Sequence, residues 1–162
     1  TDAVATAIVT QRRERAFTRV EDLTSVSGVS EELLMAPRVK GSLTVYGEGK
    51  VNVNTAPLAV LQCLVLGEGG AEKVARRRNG EDGLAGTEDD EPFTDIEQVK
   101  EIVGMSDEKF GEARPWLTVS STHFTITGTG WSVADPRLKK ELRQVVRREK
   151  SEFVVLRFEE LR

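Results

Sequence analysis

The sequence predicts an α+β protein that is helical over roughly residues 1–119 and forms an antiparallel β-meander over residues 120–162. Two observations support this: an internal repeat with helical spacing in the first part, and a tail rich in threonine and aromatic residues. At 162 residues, with 38% apolar and 31% charged residues, the composition is typical of a globular protein.

The helical part contains two related segments, which we call copy one (about 17–45) and copy two (93–119). At an offset of 76 residues, Phe, Thr, Glu, Gly and Ser recur at matching positions in Phe17–Ser30 and Phe93–Ser106. Apolar residues in each copy fall at i, i+3 and i+6, the spacing of one helical face. Each copy leads into an apolar Leu-Thr-Val, at Leu43–Val45 and Leu117–Val119.

Capping residues mark the predicted helix ends in both copies. Thr18 and Thr94 are predicted N-caps, and a glutamate three residues later, Glu21 or Glu97, would complete a capping box. A glycine then ends each helix in a left-handed turn, and a serine caps the next one. These are Gly28 and Ser30 in copy one, and Gly104 and Ser106 in copy two.

A strand and a helix are predicted between the copies. Val51–Val53 alternates with asparagine as a short strand does, and Asn54 or Thr55 then caps a helix with Pro57 in its first turn. Cys63 lies in an apolar run and is predicted to be a small buried residue. It is the one cysteine of the chain, so no intrachain disulfide forms. The run is too short to span a bilayer.

Residues 79–92 form an acidic loop, rich in glycine and carboxylates and poor in apolar residues. Clustered carboxylates suit a hard cation such as calcium, although the spacing does not fit an EF-hand. The alternative is a solvated, mobile loop without a ligand. The candidate ligands are Glu81, Asp82, Glu88, Asp89 and Asp90.

The tail is predicted to be a three-stranded meander. His123–Trp131 and Ser151–Phe158 have strand composition, whereas Leu138–Val146 also fits a helix and is assigned to a strand because of its neighbours. The basic residues of the tail predict a solvated sheet face, with a docking surface for an acidic partner as the alternative. They are Arg137, Lys139, Lys140, Arg143, Arg147, Arg148 and Lys150.

No motif in the sequence indicates catalysis. The one histidine, His123, has no partner motif nearby and is predicted to be a strand-edge residue. Zinc-ligand spacing, phosphate-binding loops and nucleophile elbows are missing from the sequence, so we expect no enzyme. The net charge of −4 disfavours a general nucleic-acid binder.

The pattern resembles two families. Tandem helix-hairpin-helix proteins that bind DNA, such as competence DNA receptors, share the Asn-x-Asn-Thr-Ala helix start found at Asn52–Ala56. Their hairpins typically read Gly-hydrophobic-Gly, which lets backbone N–H groups approach a phosphate. Here Gly28–Ser30 and Gly104–Ser106 lack the second glycine and are followed by acids, which opposes phosphate contact. A DNA-binding module of this type is the alternative function.

Over nearly its whole length the chain resembles the general secretion pathway protein K family, the minor pseudopilin K of type II secretion systems. The residues that carry the resemblance are the duplicated Phe-initiated unit, the Asn-Thr-Ala-Pro segment within Val51–Leu61 and the closing meander, in this order.

The resemblance implies a pilin-like sheet fold with an insertion of sterile-alpha-motif-like helical units. It also implies a long hydrophobic N-terminal helix that this chain lacks, through which the protein would be anchored in the bacterial inner membrane. The implied partners are minor pseudopilins I and J at the tip of a periplasmic pseudopilus, and the major pseudopilin, with no nucleic acid. Calcium binding is a further property that the resemblance implies.

Overall fold

A computed structural model describes residues 2–135 and 137–161, and it confirms the predicted α+β class. The chain divides between Val119 and Ser120 into two compact units, which are described separately. In the described ranges, every helix is too short or too polar to cross a membrane. The first unit contains, in chain order, α1 (Asp2–Glu14), a 3₁₀ turn (Val20–Ser25), α2 (Glu31–Met35), β1 (Val51–Asn52), α3 (Leu58–Leu61), α4 (Gly70–Arg78), α5 (Glu97–Val103), α6 (Asp107–Ala113), a second 3₁₀ turn (Arg114–Trp116) and β2 (Leu117–Thr118).

The core of the first unit is built from residues 53–74 and copy two. Its most deeply buried side chains include Val53, Leu61 and Val74 from the first segment and Phe93 and Val99 from copy two. Burying these apolar side chains is the main stabilising contribution to this unit.

The predicted capping boxes are wrong by one residue. In copy one the Asp22 carboxylate, not Glu21, accepts hydrogen bonds from the Thr18 and Arg19 backbone N–H groups, at 2.8 and 3.0 Å. The turn begins after Arg19 instead of Thr18, which places Asp22 at the third position after the cap.

Copy two shows the same displacement. The Gln98 side-chain oxygen, in place of Glu97, accepts from the N–H groups of Thr94 and Asp95 at 2.9 and 3.3 Å. Glu97 instead forms an ion pair with Arg114. Asp22 and Gln98 are 76 residues apart, so the repeat extends to this contact although the two residue types differ.

The serine caps and the glycine turns are confirmed. Ser30 accepts a hydrogen bond from Leu33 N at 3.1 Å, and Ser106 accepts from Lys109 N at 3.5 Å. Gly104 ends α5 in the left-handed conformation, and Gly28 also has a positive φ of 87°. The structure before Gly28 is a 3₁₀ turn, however, and not the expected α-helix.

The Leu-Thr-Val segments of the two copies differ in structure, and the predicted burial of Cys63 is wrong. Leu43–Val45 of copy one is not a strand, whereas Leu117–Thr118 forms β2 and pairs in parallel with β1. Cys63 is exposed, and its thiol contacts the Ala59 carbonyl oxygen at 3.2 Å. Buried Leu61 precedes it by two residues, which in a helical turn is a rotation of roughly 200°, so Cys63 points away from the core.

The second unit is a three-stranded antiparallel sheet in the order β3-β4-β5. The predicted antiparallel arrangement is confirmed, including a strand where Leu138–Val146 was ambiguous. The register shifts between Val145 and Val146, which pair with Arg157 and Val155, so Leu156 is an extra residue in a β-bulge. The strands are β3 (His123–Trp131), β4 (Lys139–Glu149) and β5 (Glu152–Leu161).

Candidate functional site

Asn54 joins the segment between the copies to copy two. Its side-chain N–H₂ donates to the carbonyl oxygens of Phe93 and Val119, both at 2.9 Å, and its side-chain oxygen accepts from Phe93 N at 2.8 Å. The predicted helix-cap role of Asn54 or Thr55 is wrong, because α3 begins only at Leu58. The Asn54 side chain thereby pairs three half-buried backbone groups. Leaving these groups without hydrogen bonds would cost more free energy than losing one exposed helix cap.

Two arginines at the end of α4 hold both ends of the acidic loop. Arg78 donates to the Val53 carbonyl oxygen at 2.7 Å, and burial lowers the pKa of its guanidinium, while the charge of Asp90 acts in the opposite direction. Arg77 donates to the Glu91 carbonyl oxygen at 2.7 Å, pairs with the Glu91 carboxylate and lies over the Phe93 ring. The loop therefore starts and ends at fixed points of the first unit.

Asp89 is bonded most extensively among the predicted calcium ligands. Its carboxylate accepts from Glu81 N at 2.6 Å, Asp82 N at 3.1 Å and the Thr87 hydroxyl at 2.8 Å. The hydroxyl of Thr87 and then the N–H of Asp82 hold the pKa of Asp89 below its ordinary value.

The other predicted ligands are spread along the loop. The Asp82 carboxylate accepts from Leu84 N at 2.7 Å and that of Asp90 from Gly86 N at 2.6 Å, while Glu81 and Glu88 are exposed. Across residues 2–135 and 137–161, no three acidic, histidine or cysteine side chains are grouped to hold one metal ion. Calcium binding stays a prediction, and the folded loop does not present a ready ligand set.

The sheet of the second unit has an exposed apolar face. The pairings of β3 with β4 and of β4 with β5 place seven apolar side chains on one side of the sheet, and of these only Val146 is buried. The rings of Phe124 and Phe153 pack edge to face with their centroids 6.2 Å apart. The Arg148 guanidinium carbon lies 5.8 Å from the centroid of the Phe124 ring. We call this the apolar face: Phe124, Ile126, Leu142, Val146, Phe153, Val155 and Phe158.

The basic residues of the tail are all exposed, but the prediction that they share one sheet face is wrong, because Lys140 and Arg148 lie on the side of the apolar face. Lys139, Arg143 and Arg147 lie on the side opposite the apolar face. Some of the seven form ion pairs with neighbours, such as Lys140 with Glu160 at 2.7 Å. Docking of an acidic partner stays an alternative that these contacts do not decide. His123 begins β3, an outer strand, and its Nδ1 lies 3.0 Å from the Thr122 hydroxyl.

Two features were missed by the reading of the sequence. One is Asn54, whose neighbours, 39 and 65 residues away, are not signalled by any local pattern. The other is the apolar face, which alternation in Phe124 and Ile126 hints at. On β5 the alternation fails, because the bulge at Leu156 shifts it by one residue.

Fold and surfaces together define an α+β protein that presents an apolar sheet face. Residues 51–120 match the family model of type II secretion system (T2SS), protein K. This match identifies residues 51–120 as a segment of the protein K type, which supports a link of the chain to the type II secretion system. The matched segment contains Asn54, the acidic loop and copy two. Neither the curated proteins nor the solved structures include a significant match to this chain.

Proposed function

We propose that this chain is a minor pseudopilin that forms the tip of the periplasmic pseudopilus with minor pseudopilins I and J and supports protein secretion. The observation that carries the proposal is the protein K match over residues 51–120. The role is associative: a subunit with a bulky helical unit ends the filament and fixes where its assembly starts. No catalytic step is part of the proposal. The subunit would reach the inner membrane through the hydrophobic helix that the family resemblance implies.

The apolar face supports an assembly role. Phe153, Val155 and Phe158 are each more than half exposed, at 61, 54 and 56%. A contiguous apolar surface of this kind is typical of a site that another protein segment covers. On the proposal, the face receives an apolar helix of the pilin type.

The test is to mix this chain with soluble minor pseudopilins I and J of the same organism and to measure the mass of the eluting species by light scattering. A stable complex with one copy of each protein is expected. Three separate monomers, in a control where I and J still pair, would contradict the proposal.

Two neighbouring substitutions separate the role of the apolar face from that of the whole chain. Ile126→Asp places a charge on the apolar face, and Thr127→Asp places the same charge on the opposite side. We expect the first to weaken assembly and the second to leave it unchanged. If both variants assemble equally well, the apolar face is not part of the interface, and the proposed place at the pseudopilus tip is unaffected.

The DNA-binding alternative predicts salt-dependent affinity for duplex DNA. Residues 1–119 carry 14 basic against 21 acidic side chains, and acids follow both glycine turns. This distribution opposes phosphate binding by the helical unit. A DNA titration at low salt decides between the two functions, and on our proposal it shows no binding.

A further inference from the structure

The acidic loop is organised around a carboxylate. Three donors, Glu81 N, Asp82 N and the Thr87 hydroxyl, converge on Asp89 within 3.1 Å. These donors come from both halves of the loop, so the Asp89 side chain fastens one half to the other. In a calcium loop the arrangement is inverted, because oxygens converge on a central positive charge.

Gly80 provides the space for this arrangement. Its φ is +65°, and a Cβ atom built on it would overlap the Asp89 carboxylate and lie 2.5 Å from the Asp89 backbone oxygen. Any other residue would therefore push Asp89 out of the loop. A positive φ also favours glycine at this position. Gly80 and Asp89 thus form a matched pair nine positions apart in the sequence.

The remaining short bonds use up further ligand oxygens. Asp82 and Asp90 accept from Leu84 N and Gly86 N at 2.7 and 2.6 Å. Calcium takes six to eight oxygen ligands that point at one ion. Here the carboxylates are directed at separate N–H donors, and within the described ranges no three acidic side chains are grouped to hold one ion. The arrangement therefore disagrees with the calcium site that the family resemblance implies.

We propose that Asp89 closes the 79–92 loop in the place of a cation, so that the loop folds without calcium and calcium does not stabilise it. The inference is independent of the assignment to the pseudopilus tip, because it concerns only contacts within the loop.

The test measures hydrogen exchange of the Glu81 and Asp82 amides by NMR on the full chain, in EDTA and in about 5 mM calcium, which exceeds the Kd of weak extracellular calcium modules. We expect equal protection and an equal Tm in both conditions. Asp89→Ala should raise the exchange of both amides by roughly tenfold in either condition, because the opened loop becomes more populated. Glu88 is adjacent to Asp89 and exposed, so Glu88→Ala removes the same charge without removing the contact. This control should leave the exchange rates of both amides unchanged.

Gly80→Ala is a second variant that leaves Asp89 in place, and it should raise exchange as Asp89→Ala does. A calcium-dependent rise in Tm or in protection of these amides would overturn the proposal, because binding to the folded form must stabilise it. Unchanged exchange in both Asp89→Ala and Gly80→Ala would also overturn it. If Asp89→Ala does not fold, the exchange rates of Gly80→Ala and the comparison of EDTA with calcium on the unsubstituted chain still test the proposal.

Discussion

Copy one and copy two have the same polar contacts but differ in how deeply their apolar residues are buried. Asp22 and Gln98 bind equivalent backbone N–H groups, and a serine caps the second helix of each copy. Copy two nevertheless buries Phe93 and Val99 in the main core, whereas their counterparts in copy one, Phe17 and Leu23, are only half-buried. Similar local signals therefore produced two different degrees of packing.

The difference begins at one matched position. In α5, Val99 and Val103 lie one turn apart and are both buried. Copy one has Leu23 and Ser27 at these positions, so it lacks the apolar residue one turn after Leu23, although Val26 of its stripe is buried. Without that residue the segment is a six-residue 3₁₀ turn, a form used mainly in short pieces. Capping therefore fixes where a helical segment begins, while the buried apolar area decides whether the segment becomes a regular α-helix.

The largest expected difference between the copies is at the initiating phenylalanines. Phe93→Ala should lower the free energy of unfolding by about 3–5 kcal/mol, because a fully buried ring leaves a cavity. Phe17→Ala should cost clearly less, since the ring of Phe17 is already partly in water. Urea unfolding followed by circular dichroism measures both. Equal losses would mean that copy one is packed as tightly as copy two.

Substitution of the turn glycine should destabilise the protein more in copy one than in copy two. Gly104→Ala introduces left-handed strain of roughly 1–2 kcal/mol, with nothing within 4 Å of the new Cβ atom. Gly28→Ala has the same strain and in addition places its Cβ atom 2.8 Å from a methyl group of Val4 on α1. Gly28→Ala should therefore cost more in urea unfolding.

A double variant isolates that contact. In the double variant Val4→Ala/Gly28→Ala the methyl group that the new Cβ atom would meet is gone. The coupling energy between the two substitutions should therefore equal the amount by which Gly28→Ala destabilises the protein more than Gly104→Ala does. A coupling energy of zero would show that α1 does not rest against this turn.

The smallest expected difference is in acid sensitivity. The pKa of Asp22 lies below its ordinary value because its carboxylate accepts hydrogen bonds. The largest effect comes from the Thr18 backbone N–H, followed by the Thr18 hydroxyl and then the Arg19 backbone N–H. Because the folded pKa is depressed, the stability contribution of Asp22 is present above about pH 4 and is lost as the pH falls through the folded pKa. Gln98 does not titrate, so the matching cap of copy two should not respond.

Reciprocal exchange of the two caps tests this. The stability difference between wild type and Asp22→Gln should shrink as the pH is lowered from 7 towards 3, whereas Gln98→Glu should make copy two newly sensitive to acid. Urea unfolding across this range measures both. A pH-independent difference for Asp22→Gln would show that its carboxylate does not cap the turn.

Features that depend on neighbours along the chain could be predicted from the sequence. The repeat, the serine caps at Ser30 and Ser106, the left-handed turn at Gly104 and the outer strands β3 and β5 all follow from local patterns. Each is set by backbone preferences or by side chains within a few residues, which a sequence displays directly. The middle strand β4 does not follow from a local pattern, because Leu138–Val146 also fits a helix.

Features that join distant residues could not be predicted from the sequence, because they depend on how the chain packs. Asn54 pairs with Phe93 and Val119 because β1 and β2 bring them together, and the same packing left Cys63 outside the core. The bulge at Leu156 places Phe158 on the same face as Phe153, although odd and even positions of a regular strand point to opposite sides. Such features depend on which segments meet and in what register, and no local pattern encodes that.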